Sequence, residues 1–388
     1  MLEVAGAVRA GEPSSDLAPA LAPPPRANPD LLGHEAAESA LRRLHERNRL
    51  PHAILLSGPR GIGKATLAFR LARFLLAQNA PDATNAIAAE SAGLAIDPVS
   101  GVFHRIAAGG HADLLTVERA WDPKRRRLRG EIVVEDAREI TAFLRLTSAE
   151  GGWRIVIVDG AEEMNANAAN SLLKILEEPP QRVLVLLVSH NPGRLLPTIR
   201  SRCRRMPLMA LAPLLVRRLL AQYRPDLAAP EAGALAALAE GSIGRALELA
   251  DADGLALYHA LIEIIAPPVD AARGAGRPAL DLARLHAFAD RLVRPESEDG
   301  YRMATELLTE MPARLAAVAA GCPAVAEREG IATGAEAVLA RLARGADPAR
   351  WAVLHEESRR RFARADALNL DKKQALLGAV LAIARMAG

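Results

Sequence analysis

Ala53-Ile54-Leu55-Leu56-Ser57-Gly58-Pro59-Arg60-Gly61-Ile62-Gly63-Lys64-Ala65-Thr66-Leu67 joins an apolar run to a glycine-rich loop and then to a helical repeat. The run Ala53 to Leu56 reads as a buried strand, and Leu67, Leu71, Phe74 and Leu75 recur at helical spacing. Strand, glycine loop and helix in that order predict a phosphate-binding loop. Glycines let successive backbone N–H groups turn toward phosphate, and a lysine reaches the outer oxygens. Gly58, Gly63 and Lys64 stand at the required spacing, with Gly61 between them. An ordinary glycine turn is the plain alternative.

The residue after Lys64, where a Ser or Thr hydroxyl would hold Mg²⁺, is Ala65, and Thr66 comes one position late. A methyl group cannot coordinate a hard cation, so phosphate cradling is predicted with weakened Mg²⁺ binding and weakened turnover.

Working outward, Arg154 to Asp159 and Val183 to Ser189 are two further apolar runs, the second aliphatic enough for an interior parallel strand. Their alternation with helical segments predicts an α/β fold with a parallel sheet. The first run reads Val156-Ile157-Val158-Asp159-Gly160-Ala161-Glu162. In active phosphate-loop ATPases an Asp at this strand end orients the Mg²⁺ shell and a following Glu polarises the attacking water. Here Asp159 stands without its neighbour: Gly160 has no carboxylate, and Glu162 is expected to point elsewhere. A helix-cap role for Asp159 is the alternative.

Beyond Pro207 the helical spacing continues without strands, through Leu214, Leu219, Leu235 and Leu247 and again through Leu282, Leu285, Phe288 and Leu292. A chain of 388 residues with 50% apolar content predicts more than one core. The expected organisation is a disordered Pro/Ala-rich leader at 1–29, a nucleotide-binding domain at 30–208, a helical lid at 209–253 and a helical oligomerisation domain at 254–388. Pro267 to Pro278 is expected to be a loop. The sequence contains no apolar run long enough to span a bilayer, and Cys203 and Cys322 are too few for a disulfide framework, which suits a reducing cytoplasm. A net charge of +3 is too small to mark a nucleic-acid binder on its own. The densest basic run, Lys124 to Arg129, reads as a solvated loop, with contact to primed DNA the alternative.

Asn170-Ser171-Leu172-Leu173-Lys174-Ile175-Leu176-Glu177-Glu178-Pro179-Pro180 closely resembles the signature helix of clamp-loader ATPase subunits of bacterial replicative polymerases, an AAA+ family. Leu195 to Cys203, ending in Ser201-Arg202-Cys203, is similar to the family segment whose arginine reaches a neighbouring subunit's ATP. The resemblance implies that Arg202 is a trans-acting arginine finger and that Gly58, Gly61, Gly63, Lys64, Thr66 and Asp159 line a site for ATP or ADP, weakly held. It also places His190 where the motor subunits carry a small polar sensor. Gly244, within Gly241-Ser242-Ile243-Gly244-Arg245-Ala246-Leu247, stands where those motors carry a second-sensor arginine, with Arg245 one step away. Ala65, Gly160, His190 and Gly244 together imply the family's non-hydrolysing member, partnered by gamma/tau and delta subunits and, through them, by the sliding clamp. Asn369 to Lys373, before an apolar helix, resembles the start of the family's last oligomerisation helix.

The family's zinc module is not expected, because residues 79–128 contain no cysteine and His104 and His111 alone are a poor ligand set. Two rival readings follow from the same residues. A hydrolysing gamma-like motor is favoured by Lys64 and Asp159 and opposed by Ala65 and Gly160. An unrelated AAA+ machine would share the phosphate loop but not the Glu-Glu-Pro-Pro or Ser-Arg-Cys segments.

Overall fold

The computed structural model describes residues 22–78, 93–122, 127–266, 280–322 and 333–387. Its strands in chain order are β1 (Ala53–Ser57), β2 (Leu114–Val117), β3 (Trp121–Asp122), β4 (Arg127–Leu128), β5 (Arg154–Asp159), β6 (Val183–Ser189) and β7 (Arg204–Pro207). β1, β5 and β6 are aliphatic along almost their whole length, the pattern required of strands covered on both faces. They form the middle of a five-stranded sheet, β2-β5-β6-β1-β7, in which every neighbouring pair is parallel.

Helices cover both faces. The first set is α1 (Glu35–Glu46), α2 (Lys64–Ala77), α3 (Gly101–Ala107), α4 (Val134–Arg145), α5 (Ala166–Glu177) and α6 (Pro197–Arg202). Alternate strand residues point to opposite faces. Ile54, Leu56, Ile155 and Leu186 therefore pack with Leu67, Leu71 and Leu75 of α2. Leu55, Val156, Val185 and Leu187 pack with Ile140 of α4 and with Leu172 and Leu176 of α5. Truncating any of these leucines to alanine would cost about 2–5 kcal/mol.

Strand register sets the site. Ser57 pairs with Ser189 and Asp159 with Val188, so the loops after β1, β5 and β6 leave the carboxyl edge side by side. That edge is where open parallel sheets bind ligands. At the amino edge, the fully buried Asp113 accepts hydrogen bonds from Ser148 Oγ and from the N–H groups of Ala149 and Glu150, at 2.9 to 3.1 Å. Arg154 Nη2 lies 3.6 Å from the same carboxylate. This cluster fixes the loop that feeds β5.

Residues 1–21 of the expected leader lie outside the described residues, but 22–29 do not match a disordered segment. Pro25–Ala27 is a turn of 3₁₀ helix. Arg73 of α2, itself buried, donates to the Asn28 carbonyl at 2.7 Å, and Arg70 donates to that of Pro29. The sequence pattern missed this because the ordering groups are arginines some 40 positions downstream on a helix whose remaining residues read as core.

The chain divides into two compact units at Leu215. α7 (Pro213–Tyr223) runs across the division. The second unit is built from α8 (Ala229–Leu238), α9 (Ile243–Asp251), α10 (Gly254–Ile265), α11 (Leu282–Leu292), α12 (Glu298–Ala319), α13 (Thr333–Ala343), α14 (Pro348–Ala367) and α15 (Lys372–Ala387), with no strand among its described residues. A lid at 209–253 and a collar at 254–388 are expected as separate bodies, whereas 216–253 and the later helices share one unit. Charges tie them: Arg245 of α9 pairs with Glu310 of α12, and Arg314 of α12 pairs with Glu240 at 3.1 Å. The expected loop at 267–278 and Lys124 to Arg126 of the basic run lie outside the described residues. Among the described residues no helix is long and apolar enough to cross a membrane.

Candidate functional site

The loop between β1 and α2 takes its shape from its glycines. Gly58, Gly61 and Gly63 have φ of 151°, 72° and 98°. At Gly58 a Cβ would stand 2.3 Å from the Leu208 carbonyl oxygen, so no other residue fits without backbone movement. Gly63 leads into α2, and no side chain caps the first N–H groups of that helix. These donors and the positive end of the helix dipole are the elements of an anion site. The loop is also pinned from outside: His34 donates through Nε2 to the Ile62 carbonyl at 2.7 Å.

Lys64 is buried, and its Nζ donates to the Gly58 carbonyl at 2.9 Å and to that of Pro59. Burial lowers its pKa to about 8, against the opposing pull of Asp159 and Glu162. Asp159, at the end of β5, shows the converse. Burial, reinforced by the Glu118 carboxylate, pushes it up to about 6 although Lys64 draws it down. Asp159 and Lys64 are thus both shifted toward their neutral forms by burial at one edge of the sheet, a pattern that functional sites share with buried ion pairs.

Gly160 follows Asp159 with φ of 75°. A Cβ there would lie 2.6 Å from Glu163 Oε2, and Glu163 is itself held by Arg119 Nε at 2.8 Å. The space a side chain at 160 would take is thus occupied by the Glu163 carboxylate, on a backbone that favours glycine. Glu162 is turned toward the loop after β6. From its 3₁₀ turn the buried Glu162 reaches the end of β6, where Oε1 accepts the N–H groups of His190 at 2.9 Å and Asn191 at 3.1 Å. Burial alone would raise its pKa, but hydrogen bonds from its own backbone N–H and from that of His190, together with the imidazole, hold it below the ordinary value. His190 Nε2 lies 3.6 Å from the same oxygen, and burial lowers the imidazole's pKa despite that carboxylate.

A phosphate group fits this donor set: turned backbone N–H groups, an uncapped helix start and Lys64. A divalent cation fits poorly. Position 65 offers a methyl group, and Thr66 is buried within the first turn of α2. The arrangement can hold an anion at the loop and helix start, beside the carboxyls of Asp159 and Glu162.

Arg202 belongs to a different part of the same domain. It is the last residue of α6, a short helix opened by Pro197 and anchored by the fully buried Ile199 and the buried Cys203. Its side chain is about one third exposed. Nη1 donates to the Thr198 carbonyl at 3.0 Å, and Nη2 lies 2.5 Å from Glu177 Oε1. Glu177 ends α5, so the two family-like segments meet through these side chains. In the second unit, Arg245 is turned onto Glu310, and its helix is capped by Ser242 Oγ accepting the Arg245 N–H at 3.1 Å.

The fold brings the loop of Gly58, Gly61, Gly63 and Lys64 to the same sheet edge as Asp159, while Thr66 is buried in the first turn of α2. His34, Glu118, Arg119 and Glu163 were not anticipated. His34, Glu118 and Arg119 act on loops distant in sequence, so no local signal marks them; Glu163 lies three positions after Gly160, and its contact there depends on the left-handed turn.

Residues 33–212 match the family model described as "DNA polymerase III, delta subunit". The chain is 40% identical over 202 residues to DNA polymerase III subunit delta' of Pseudomonas aeruginosa, a match covering 52% of this chain and 56% of that protein. It is 31% identical over 231 residues to DNA polymerase III subunit tau of Escherichia coli, covering 58% of this chain and 33% of that one. The chain thus spans about half the length of the first relative and a third of the second. A DNA polymerase III gamma subunit-related protein of Thermotoga maritima aligns over 89% of this chain and 98% of its own, with 20% identity and a TM-score of 0.35.

Proposed function

We propose, from a chain whose residues 33–212 match the DNA polymerase III delta-subunit family, that it is a delta prime-type member of a bacterial clamp loader. In this role it hydrolyses little or no ATP and presents Arg202 to the ATP of a neighbouring gamma/tau-type subunit. The ring so formed opens the sliding clamp and places it on primed DNA, with a delta-type subunit as a further partner.

The observation that carries this proposal is position 160. A left-handed glycine, crowded by Glu163, stands where a hydrolysing subunit needs a carboxylate. Without that base, water beside a bound nucleotide is not activated, whatever Lys64 holds. Nucleotide, if bound, would be held by the backbone of Gly58 to Gly63 and by Lys64, with Asp159 facing it. Its role there would be to brace the loop. Arg202 is differently placed, being partly exposed at a helix end and independent of its own chain's loop. A guanidinium supplied from a neighbour stabilises charge on the transferring phosphoryl group, an effect worth about 10³–10⁵ in rate.

The hydrolysing-motor alternative draws on Lys64 and Asp159. It is tested by ATP turnover of the isolated chain in Mg²⁺, which should be no faster than that of its Lys64→Ala variant. Brisk, Lys64-dependent turnover would put the motor first.

A further inference from the structure

We infer that Glu177 is the positioning residue for Arg202, holding the guanidinium in the orientation from which it meets a neighbouring subunit's phosphate. This rests on the proposed finger role of Arg202 and adds to it a second residue, in a different motif.

Both backbones are fixed. Pro179 and Pro180 follow the end of α5 and prevent its continuation, so Glu177 stays in the last helical turn. α6 is opened by Pro197 and packed down by Ile199 and Cys203 on either side of Arg202. A carboxylate in the last turn of a helix faces the negative end of the helix dipole, an unfavourable place for it. The guanidinium offsets that charge.

The contacts also define an orientation. Thr198 O engages Nη1 and Glu177 Oε1 engages Nη2, so both terminal nitrogens of the planar group are fixed at once. A guanidinium has five N–H donors, and two contacts leave about three for an incoming phosphate. Glu177 is about half exposed and Arg202 about one third. Pairs this exposed add little stability. The pair therefore steers the finger without trapping it, and a neighbour's phosphate can draw the group outward.

The test uses the full chain reconstituted with its gamma/tau-type and delta-type partners, clamp and primed DNA, comparing Glu177→Ala, Glu177→Gln and Arg202→Ala. Glu177→Ala should lower the ATPase kcat about three- to tenfold with KM for ATP unchanged, because misorientation weakens the transition-state contact alone. Glu177→Gln keeps an acceptor oxygen for Nη2 and should recover most of the loss. Unchanged kcat in Glu177→Ala, or a rise in KM alone, would overturn the positioning role while Arg202→Ala still abolished turnover. Unchanged turnover in Arg202→Ala would instead remove the finger role on which it rests.

Discussion

Glu162 Oε1 accepts the backbone N–H of His190 at 2.9 Å and lies 3.6 Å from the same residue's Nε2. The Glu162 carboxylate is thus a brace for the loop after β6. Glu162→Ala should destabilise the chain by about 1–3 kcal/mol, with Glu162→Gln losing less because its amide oxygen still accepts. The folded pKa lies below the ordinary value, so this stabilisation is present above the unfolded pKa and is lost as pH falls through the folded one. Urea unfolding across the acid range should show a flatter acid limb in Glu162→Gln.

The opposite sign holds at Asp159, whose carboxyl is pushed up to about 6 from 3.8. Between those values the folded state holds a proton that the unfolded state has released, so stability falls as pH rises. Asp159→Asn should remove that fall and be more stable than the native chain at pH 7 and above, by on the order of 2–3 kcal/mol. Equilibrium unfolding at pH 4, 6 and 8 measures this directly.

Lys64 predicts a complementary profile. With its pKa lowered to about 8, its destabilisation is complete below that value and relaxes as pH rises toward 10.5. Lys64→Met should therefore raise the Tm at neutral pH while weakening retention of a labelled nucleotide. A lower Tm in the variant would show that the ammonium braces the loop.

Restoring the missing carboxylate should not restore hydrolysis. Gly160→Glu places a side chain on a left-handed backbone and against Glu163, at a cost of about 1–2 kcal/mol before charge repulsion is added. Purified Gly160→Glu should lose stability and gain no ATP turnover.

At the opposite edge of the sheet, Asp113→Ala should be the most damaging of these variants, costing about 3–5 kcal/mol, because it removes the carboxylate beside buried Arg154 and unpairs Ser148, Ala149 and Glu150. Denaturant titration gives the value.

The sheet and the phosphate loop were legible because their signals are local: continuous aliphatic runs at Ala53, Arg154 and Val183, and glycines at fixed spacing from Lys64. Partnerships were not legible where strand order creates them. β6 lies between β1 and β5 although it follows both in sequence, and only this order brings His190 to Glu162. Arg202 and Glu177 were each found in a separate family-like segment, yet neither segment indicates that the two side chains meet. Ordering of residues 22–29 and the Arg245–Glu310 pair depend in the same way on helices far along the chain. That position 160 is a glycine was legible, but its left-handed backbone and the Glu163 carboxylate beside it were not.

In the proposed role this chain acts on its neighbour's ATP rather than on its own. The most direct measurement is single-turnover ATP hydrolysis by reconstituted gamma/tau-type motors with clamp and primed DNA, using the native chain or Arg202→Ala. A fall of about 10³ or more is expected in the rate at the interface this chain completes, with assembly intact. Undiminished hydrolysis at that interface with Arg202→Ala would contradict it.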